Sequence, residues 1–252
     1  MKPLGLAVVS TLLIIGCTNM RVGRPTASAA APATAATSAP TTAPATTRGV
    51  DDRWEKEISA LEAQGEASPV PRDAIVFYGS SSVRLWRTLA TDFPGLPVVN
   101  RGFGGSNAEA GLAYLDRIVL RHRPKVLVLY FGDNDIAEGH APERIASNVG
   151  ELVKRVHAAL PETRILFIAV KPSPSRVKLL DKLLATNAAV KAIADADAKF
   201  DFVDIATPML DANGQPRPEL FGPDMLHMNR AGYELWTSVL APILKQPVLK
   251  QP

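Results

Sequence analysis

Two segments of the chain carry residue types that together could perform nucleophilic catalysis. A run of three serines at 80–82 follows a glycine and a short apolar segment, and Asp224 precedes His227 by three residues. A serine hydroxyl becomes a nucleophile when a positioned imidazole accepts its proton, and a carboxylate can fix the tautomer of that imidazole. The pattern therefore indicates acyl-transfer chemistry with His227 as the base.

Two further segments could supply the groups that such chemistry needs for its developing negative charge. Residues 100–106 are rich in glycine, and residues 132–135 read Gly-Asp-Asn-Asp. An oxyanion needs fixed donors, which backbone N–H groups and an asparagine amide can provide. Each segment alone is weak evidence for an active site, because serines often cap helices and glycines often form turns. Their joint occurrence, each after a predicted strand or in the last loop, favours one active site.

The elements that must position these residues are predicted from the apolar pattern. Two runs, at 126–131 and 165–170, are continuously apolar, as expected of strands covered on both faces. Helical patterns lie between the strands, so the fold class is α/β with a parallel, doubly wound sheet. The carboxyl ends of such strands meet at one edge, where ligands bind. The predicted strands are 74–78, 97–100, 125–131, 164–170 and 200–205.

Taken together, these segments resemble the SGNH, or GDSL, hydrolase family over essentially the whole of 50–252. Ser81 falls at the nucleophile position of the first block. Ser80 stands where the family more often has aspartate. The remaining matches to the family blocks are Gly105, Asn134, Asp224 and His227.

The resemblance implies both a fold and an activity. The fold is a three-layer α/β/α sandwich around a flavodoxin-like, five-stranded parallel sheet. The activity is that of a serine esterase that forms an acyl-enzyme and needs no metal or nucleotide cofactor. Its triad would be Ser81, His227 and Asp224, with an oxyanion hole made by the N–H groups of Ser81 and Gly105 and the amide of Asn134. The expected substrate is a small carboxylic ester or an acetylated glycan.

The same residues allow three other interpretations. The α/β-hydrolase superfamily requires Gly-x-Ser-x-Gly, but Val83 occupies the last position. A non-catalytic glycan-binding protein could keep the same fold, although a binder has no need of an ordered triad. Asp133, Asp135 and His140 could suggest a metal, but this segment lacks the ligand pattern of a calcium loop and is predicted to be a solvated turn.

Residues near these blocks could shape a substrate pocket. The segment 171–176, Lys-Pro-Ser-Pro-Ser-Arg, follows the fourth predicted strand and should reach the same edge of the sheet. Arg84 and Arg101 lie close to the blocks in sequence. They are expected either to line the pocket or to form surface salt bridges.

The N-terminal part predicts export and anchoring. Residues 1–17 read as a secretory signal that ends in a lipobox-like Ile-Ile-Gly-Cys, with Cys17 as the lipidated residue and the only cysteine. Residues 18–49, rich in Ala, Thr and Pro, are predicted to be a disordered tether, and 50–252 to be the hydrolase domain. The protein is therefore expected to be held at a membrane of the cell envelope, in the outer membrane or facing the periplasm.

The basic overall charge does not indicate nucleic-acid binding. Four of the 28 basic residues precede position 51, whereas all 25 acidic residues lie at or after it. The folded part is therefore nearly neutral, and the charge pattern gives nucleic-acid binding no support.

Overall fold

The computed structural model describes residues 52–246, whose centre is a five-stranded parallel sheet. The strand order is β2-β1-β3-β4-β5, and every neighbouring pair is parallel. This confirms the predicted α/β fold with a flavodoxin-like sheet. The strands are β1 Ile75–Gly79, β2 Val98–Gly102, β3 Val126–Tyr130, β4 Arg164–Ile168 and β5 Phe200–Val203.

Helices cover both faces of the sheet and complete the three-layer sandwich. They are α1 Glu55–Ala67, α2 Ser81–Arg84, α3 Leu89–Asp92, α4 Ala108–Ile118, α5 Asp133–Ala137, α6 Pro142–Ala159, α7 Leu180–Ala194 and α8 Arg230–Leu244. Short 3₁₀ segments lie at Asp52–Trp54, Leu120–His122, Pro174–Leu179, Thr207–Met209 and Pro218–Leu220.

The apolar core is divided into two layers by the sheet. Successive side chains of a strand point to opposite faces. Leu127 of β3 therefore belongs to the core that also includes residues of α1, α4, α6 and α7, while its neighbour Val128 belongs to the core that includes residues of α3 and α8. Both are fully buried, and burial of a side chain of this size contributes about 1.5–3 kcal/mol. The continuous apolar strands thus reflect two cores rather than one.

The topology of the first three strands fixes where the site lies. The chain passes from β1 to β2 on one side, then crosses back over β1 to β3 on the other side. Loops that leave the carboxyl ends of β1 and β3 therefore diverge in opposite directions and leave a crevice between them, where ligands bind in such sheets.

The predicted signal, Cys17 and the predicted tether all lie outside the described residues. Within 52–246, no helix combines the length and the apolar character needed to cross a bilayer.

Candidate active site

The serine run forms a tight turn between β1 and α2. A Cβ on Gly79 would lie 2.4 Å from the carbonyl oxygen of Tyr130, so only glycine fits where β1 ends against β3. Ser80 and Ser82 are buried, with 2% and 1% of their surface exposed, whereas Ser81 is only partly buried. The local turn thus presents Ser81 at the edge of the sheet and turns its two neighbours inward.

The side chains of Ser81, His227 and Asp224 form a chain of two hydrogen bonds. The Oγ of Ser81 is 2.9 Å from Nε2 of His227, and Nδ1 of the same ring is 2.6 Å from Oδ2 of Asp224. Ser81 and His227 are 146 residues apart in the chain, so only the fold brings them together. This arrangement allows the imidazole to accept the serine proton while the carboxylate holds the other ring nitrogen.

The loop before α8 holds Asp224 in place. Its Oδ1 accepts the backbone N–H groups of Leu226 at 3.0 Å and His227 at 2.9 Å, and Met225, which directly follows Asp224, has a positive φ of 53°. The hydrogen bond from His227, followed by those backbone bonds, lowers the pKa of Asp224 to about 2. The carboxylate therefore stays ionised over the range in which an imidazole base can work.

Three potential donors to an oxyanion come from the loops after β1, β2 and β3. The backbone N–H groups of Ser81 and Gly105 have no acceptor among residues 52–246. Gly105 has a positive φ of 67°, a conformation that disfavours other residues. Nδ2 of Asn134 donates to the carbonyl oxygen of Ser106 at 2.9 Å, which leaves its second hydrogen available.

Asp135 links the loops that follow β2 and β3. Its buried carboxylate accepts the N–H of Ala108 at 3.0 Å and that of Gly132 at 3.1 Å. Burial raises the pKa of Asp135, while hydrogen bonds from the backbone N–H groups of Ala108 and of Asp135 itself oppose the rise. The carboxylate thus fixes the relative position of the loops that carry Gly105 and Asn134.

Beside Asn134 lies a buried ionic cluster, defined here as Asp133, Lys171 and Arg176. Lys171 Nζ is 2.5 Å from Asp133 Oδ2, and Arg176 Nη1 bonds both Oδ1 and, at 2.7 Å, the carbonyl oxygen of Asp133. Burial alone would raise the pKa of Asp133, but attraction to the two cations outweighs it and lowers that pKa. The prediction of a solvated turn is therefore wrong, because Asp133 and Asp135 are both buried.

The structure also places the flanking residues. The segment 171–176 reaches the site, as predicted. Arg84 is exposed and pairs with Glu57 at 3.5 Å, as a surface salt bridge. Arg101 is 2% exposed and donates to Gln64 at 3.0 Å, so the expectation of a surface salt bridge is wrong for this residue. Its place on an edge strand beneath α1 buries it.

The ionic cluster was not predicted from the sequence. Asp133 and Lys171 each follow the carboxyl end of a strand, and those strands, β3 and β4, are neighbours. Opposite charges that follow two apolar runs could therefore have indicated an ion pair. That inference also requires knowing that the two strands are neighbours in the sheet. Among residues 52–246, no group of three or more His, Cys, Asp or Glu side chains could hold a metal ion.

Comparisons with known proteins show similarity in sequence and in fold. Residues 63–235 match the model of the GDSL-like lipase/acylhydrolase family. The chain is 24% identical to esterase TesA of Pseudomonas aeruginosa over 132 residues, which is 52% of this chain and 66% of that protein.

Solved structures share the fold at low identity. A GDSL-like lipase from Bacteroides thetaiotaomicron superposes with a TM-score of 0.67 at 22% identity, covering 75% of this chain and 97% of that one. An acetylxylan esterase from Geobacillus stearothermophilus gives 0.59 at 16% identity, covering 72% and 98%.

Proposed function

The chain belongs to the GDSL-like lipase/acylhydrolase family, whose members hydrolyse esters, and from this premise we propose a serine esterase that uses Ser81, His227 and Asp224. The observation that carries the proposal is the unbroken pair of hydrogen bonds from Ser81 through His227 to Asp224. The buried states of Ser80 and Ser82 support Ser81 as the nucleophile.

The reaction proceeds in two halves. The imidazole of His227 takes the proton of Ser81 while Oγ attacks the ester carbonyl, and the negative charge develops on the former carbonyl oxygen. The N–H groups of Ser81 and Gly105 and the amide of Asn134 donate to that oxygen. The imidazolium then protonates the leaving alcohol, and an acyl group remains on Ser81. Water, deprotonated by His227, releases the acid and restores the serine.

The proposed substrate is an ester with a short acyl group or an O-acetyl group, such as that of an acetylated glycan. Support comes from the names of two similar proteins, an esterase and an acetylxylan esterase. The proposed location, a lipid anchor at Cys17 that holds the domain in the cell envelope, rests on the sequence alone. The alternative, a glycan-binding protein without activity, shares the fold but leaves the Ser81–His227 contact unexplained.

The test uses the purified full-length chain with a fluorophosphonate probe, p-nitrophenyl acetate and an acetylated xylo-oligosaccharide. We expect labelling and acetate release in the wild type, and loss of both in Ser81→Ala. Ser238→Ala is the matched control, because this exposed serine on α8 bonds the carbonyl of Leu235 within its own helix. Glycan binding without labelling or turnover would instead establish the binding protein, and activity surviving in Ser81→Ala would exclude this nucleophile.

Faster turnover of p-nitrophenyl octanoate than of the acetate would contradict the short-chain proposal while leaving the esterase proposal intact.

A further inference from the structure

We propose that Arg176 is a positioning residue that fixes and polarises the side-chain amide of Asn134 for oxyanion binding. This inference rests on the proposed function. Arg176 lies in the 3₁₀ segment after β4, and its Nη2 is 3.2 Å from Oδ1 of Asn134. It is 42 residues away from Asn134 in the chain and lies outside the four segments that suggested the active site.

The neighbours of Asn134 permit one orientation of its amide. A guanidinium can only donate hydrogen bonds, so the group that faces Arg176 must be the amide oxygen. The carbonyl of Ser106 can only accept, so the group that faces it at 2.9 Å must be Nδ2. A flipped amide would place two donors together on one side and two acceptors on the other. One hydrogen of Nδ2 is therefore always held toward Ser106, and the second has a fixed direction.

Arg176 is itself held by the ionic cluster. Its Nη1 bonds the carboxylate and the backbone carbonyl of Asp133, and that carboxylate is also bonded to the fully buried Lys171. The arginine side chain is 19% exposed, so packing and these bonds together hold its position. Asp133 and Asn134 are consecutive, so the same guanidinium spans the backbone of one and the amide of the other.

The charge of the cluster adds a second effect. Two cations surround one carboxylate, so the cluster carries a net positive charge next to the proposed oxyanion hole. A charged donor at Oδ1 also polarises the amide and makes its N–H a stronger donor, since connected hydrogen bonds reinforce one another. The attraction to the cluster's charge and the stronger N–H donation both grow as negative charge develops on the substrate oxygen. They therefore stabilise the transition state more than the bound ester.

The experiment is a double-mutant cycle of Arg176→Met and Asn134→Ala, measured as kcat and KM on p-nitrophenyl acetate. Loss of one oxyanion donor lowers kcat by about 10²–10³-fold, and we expect this for Asn134→Ala. We expect Arg176→Met to lower kcat by about 10–100-fold, within that limit, with KM changed by less than about threefold. In the Asn134→Ala background, Arg176→Met should cause a smaller further loss, less than about fivefold, because only the direct effect of the cluster's charge on the substrate oxygen then remains.

Two other variants separate positioning from stability. Arg155→Met is the matched control, since Arg155 also bonds a carbonyl, that of Leu112, and a carboxylate, that of Asp116, and neither bond involves Asn134 or the ionic cluster. It should leave kcat unchanged. Arg176→Lys keeps the charge but lacks the fork that reaches Asp133 and Asn134 together, so it should recover part of the lost turnover. An equal loss from Arg176→Met with and without Asn134 would overturn the proposal.

A readout that is independent of turnover keeps this inference distinct from the esterase proposal. The side-chain amide signals of Asn134 in a ¹⁵N–¹H NMR spectrum are assigned by their loss in Asn134→Ala. They should move in Arg176→Met and stay in place in Arg155→Met. If the wild type hydrolyses no ester but these signals move, the proposed function fails and the positioning holds. If they do not move, the positioning is refuted whatever the activity.

Discussion

Replacing Asp224 with asparagine should stop turnover by forcing the wrong tautomer on His227. In the wild type, Oδ1 of Asp224 accepts two backbone N–H groups and Oδ2 accepts Nδ1–H of His227 at 2.6 Å. In Asp224→Asn, the single amide oxygen keeps the backbone bonds, and the amide nitrogen donates to Nδ1. The ring proton then lies on Nε2 and points at Ser81, so His227 cannot accept the serine proton.

The size of the effect follows from this geometry. An aspartate-to-asparagine change in a serine triad with intact geometry lowers kcat by about 10⁴-fold. Here the carboxylate side chain is 51% exposed, and water can partly replace it as a partner of the ring. We therefore expect a loss of about 10³–10⁴-fold, which corresponds to about 4–5.5 kcal/mol of transition-state stabilisation. The loop should keep its shape because the backbone bonds remain.

The assay compares kcat on p-nitrophenyl acetate, fluorophosphonate labelling and thermal unfolding. Asp211→Asn is the matched control, because Asp211 also caps a loop, accepting the N–H groups of Asn213 and Gln215, but has no histidine partner. We expect it to retain full activity. A folded Asp224→Asn protein with kcat within tenfold of the wild type would show that the carboxylate does not set the tautomer, and the reasoning would be wrong.

Two predictions concern stability. Gly79→Ala places a Cβ 2.4 Å from a backbone carbonyl oxygen and should lower the free energy of unfolding in urea by about 3 kcal/mol or more. Gly150→Ala, within a helix, meets only a side-chain methyl at 3.5 Å and should leave that free energy unchanged or raise it. Equal stabilities of the two variants would show that the close contact at Gly79 is not present. The pKa of Asp224 falls from an ordinary 3.8 to about 2, so its contribution is present above about pH 4 and is lost as the pH falls toward 2. Unfolding titrations of the wild type should therefore show a steeper loss of stability over this range than those of Asp224→Asn.

The order of elements was predictable because its signals are local. Two continuous apolar runs and the helical patterns between them predicted a buried parallel sheet, which the structure confirms. Asp224 and His227 are three residues apart, so a single turn can join them. Gly105 and Asn134 follow strands, and the carboxyl ends of parallel strands share an edge. These inferences require only short-range periodicity and one rule of sheet topology.

What the sequence determined is therefore the set of strands, the edge at which they end and the residue types gathered there. The tertiary structure decided which of three adjacent serines faces His227, because that depends on how the turn after Gly79 packs against Tyr130. It also placed Arg176 against Asn134 and buried Arg101. These contacts join residues that are 37 or more positions apart. They depend on the conformation of all the intervening backbone, which no local sequence pattern specifies.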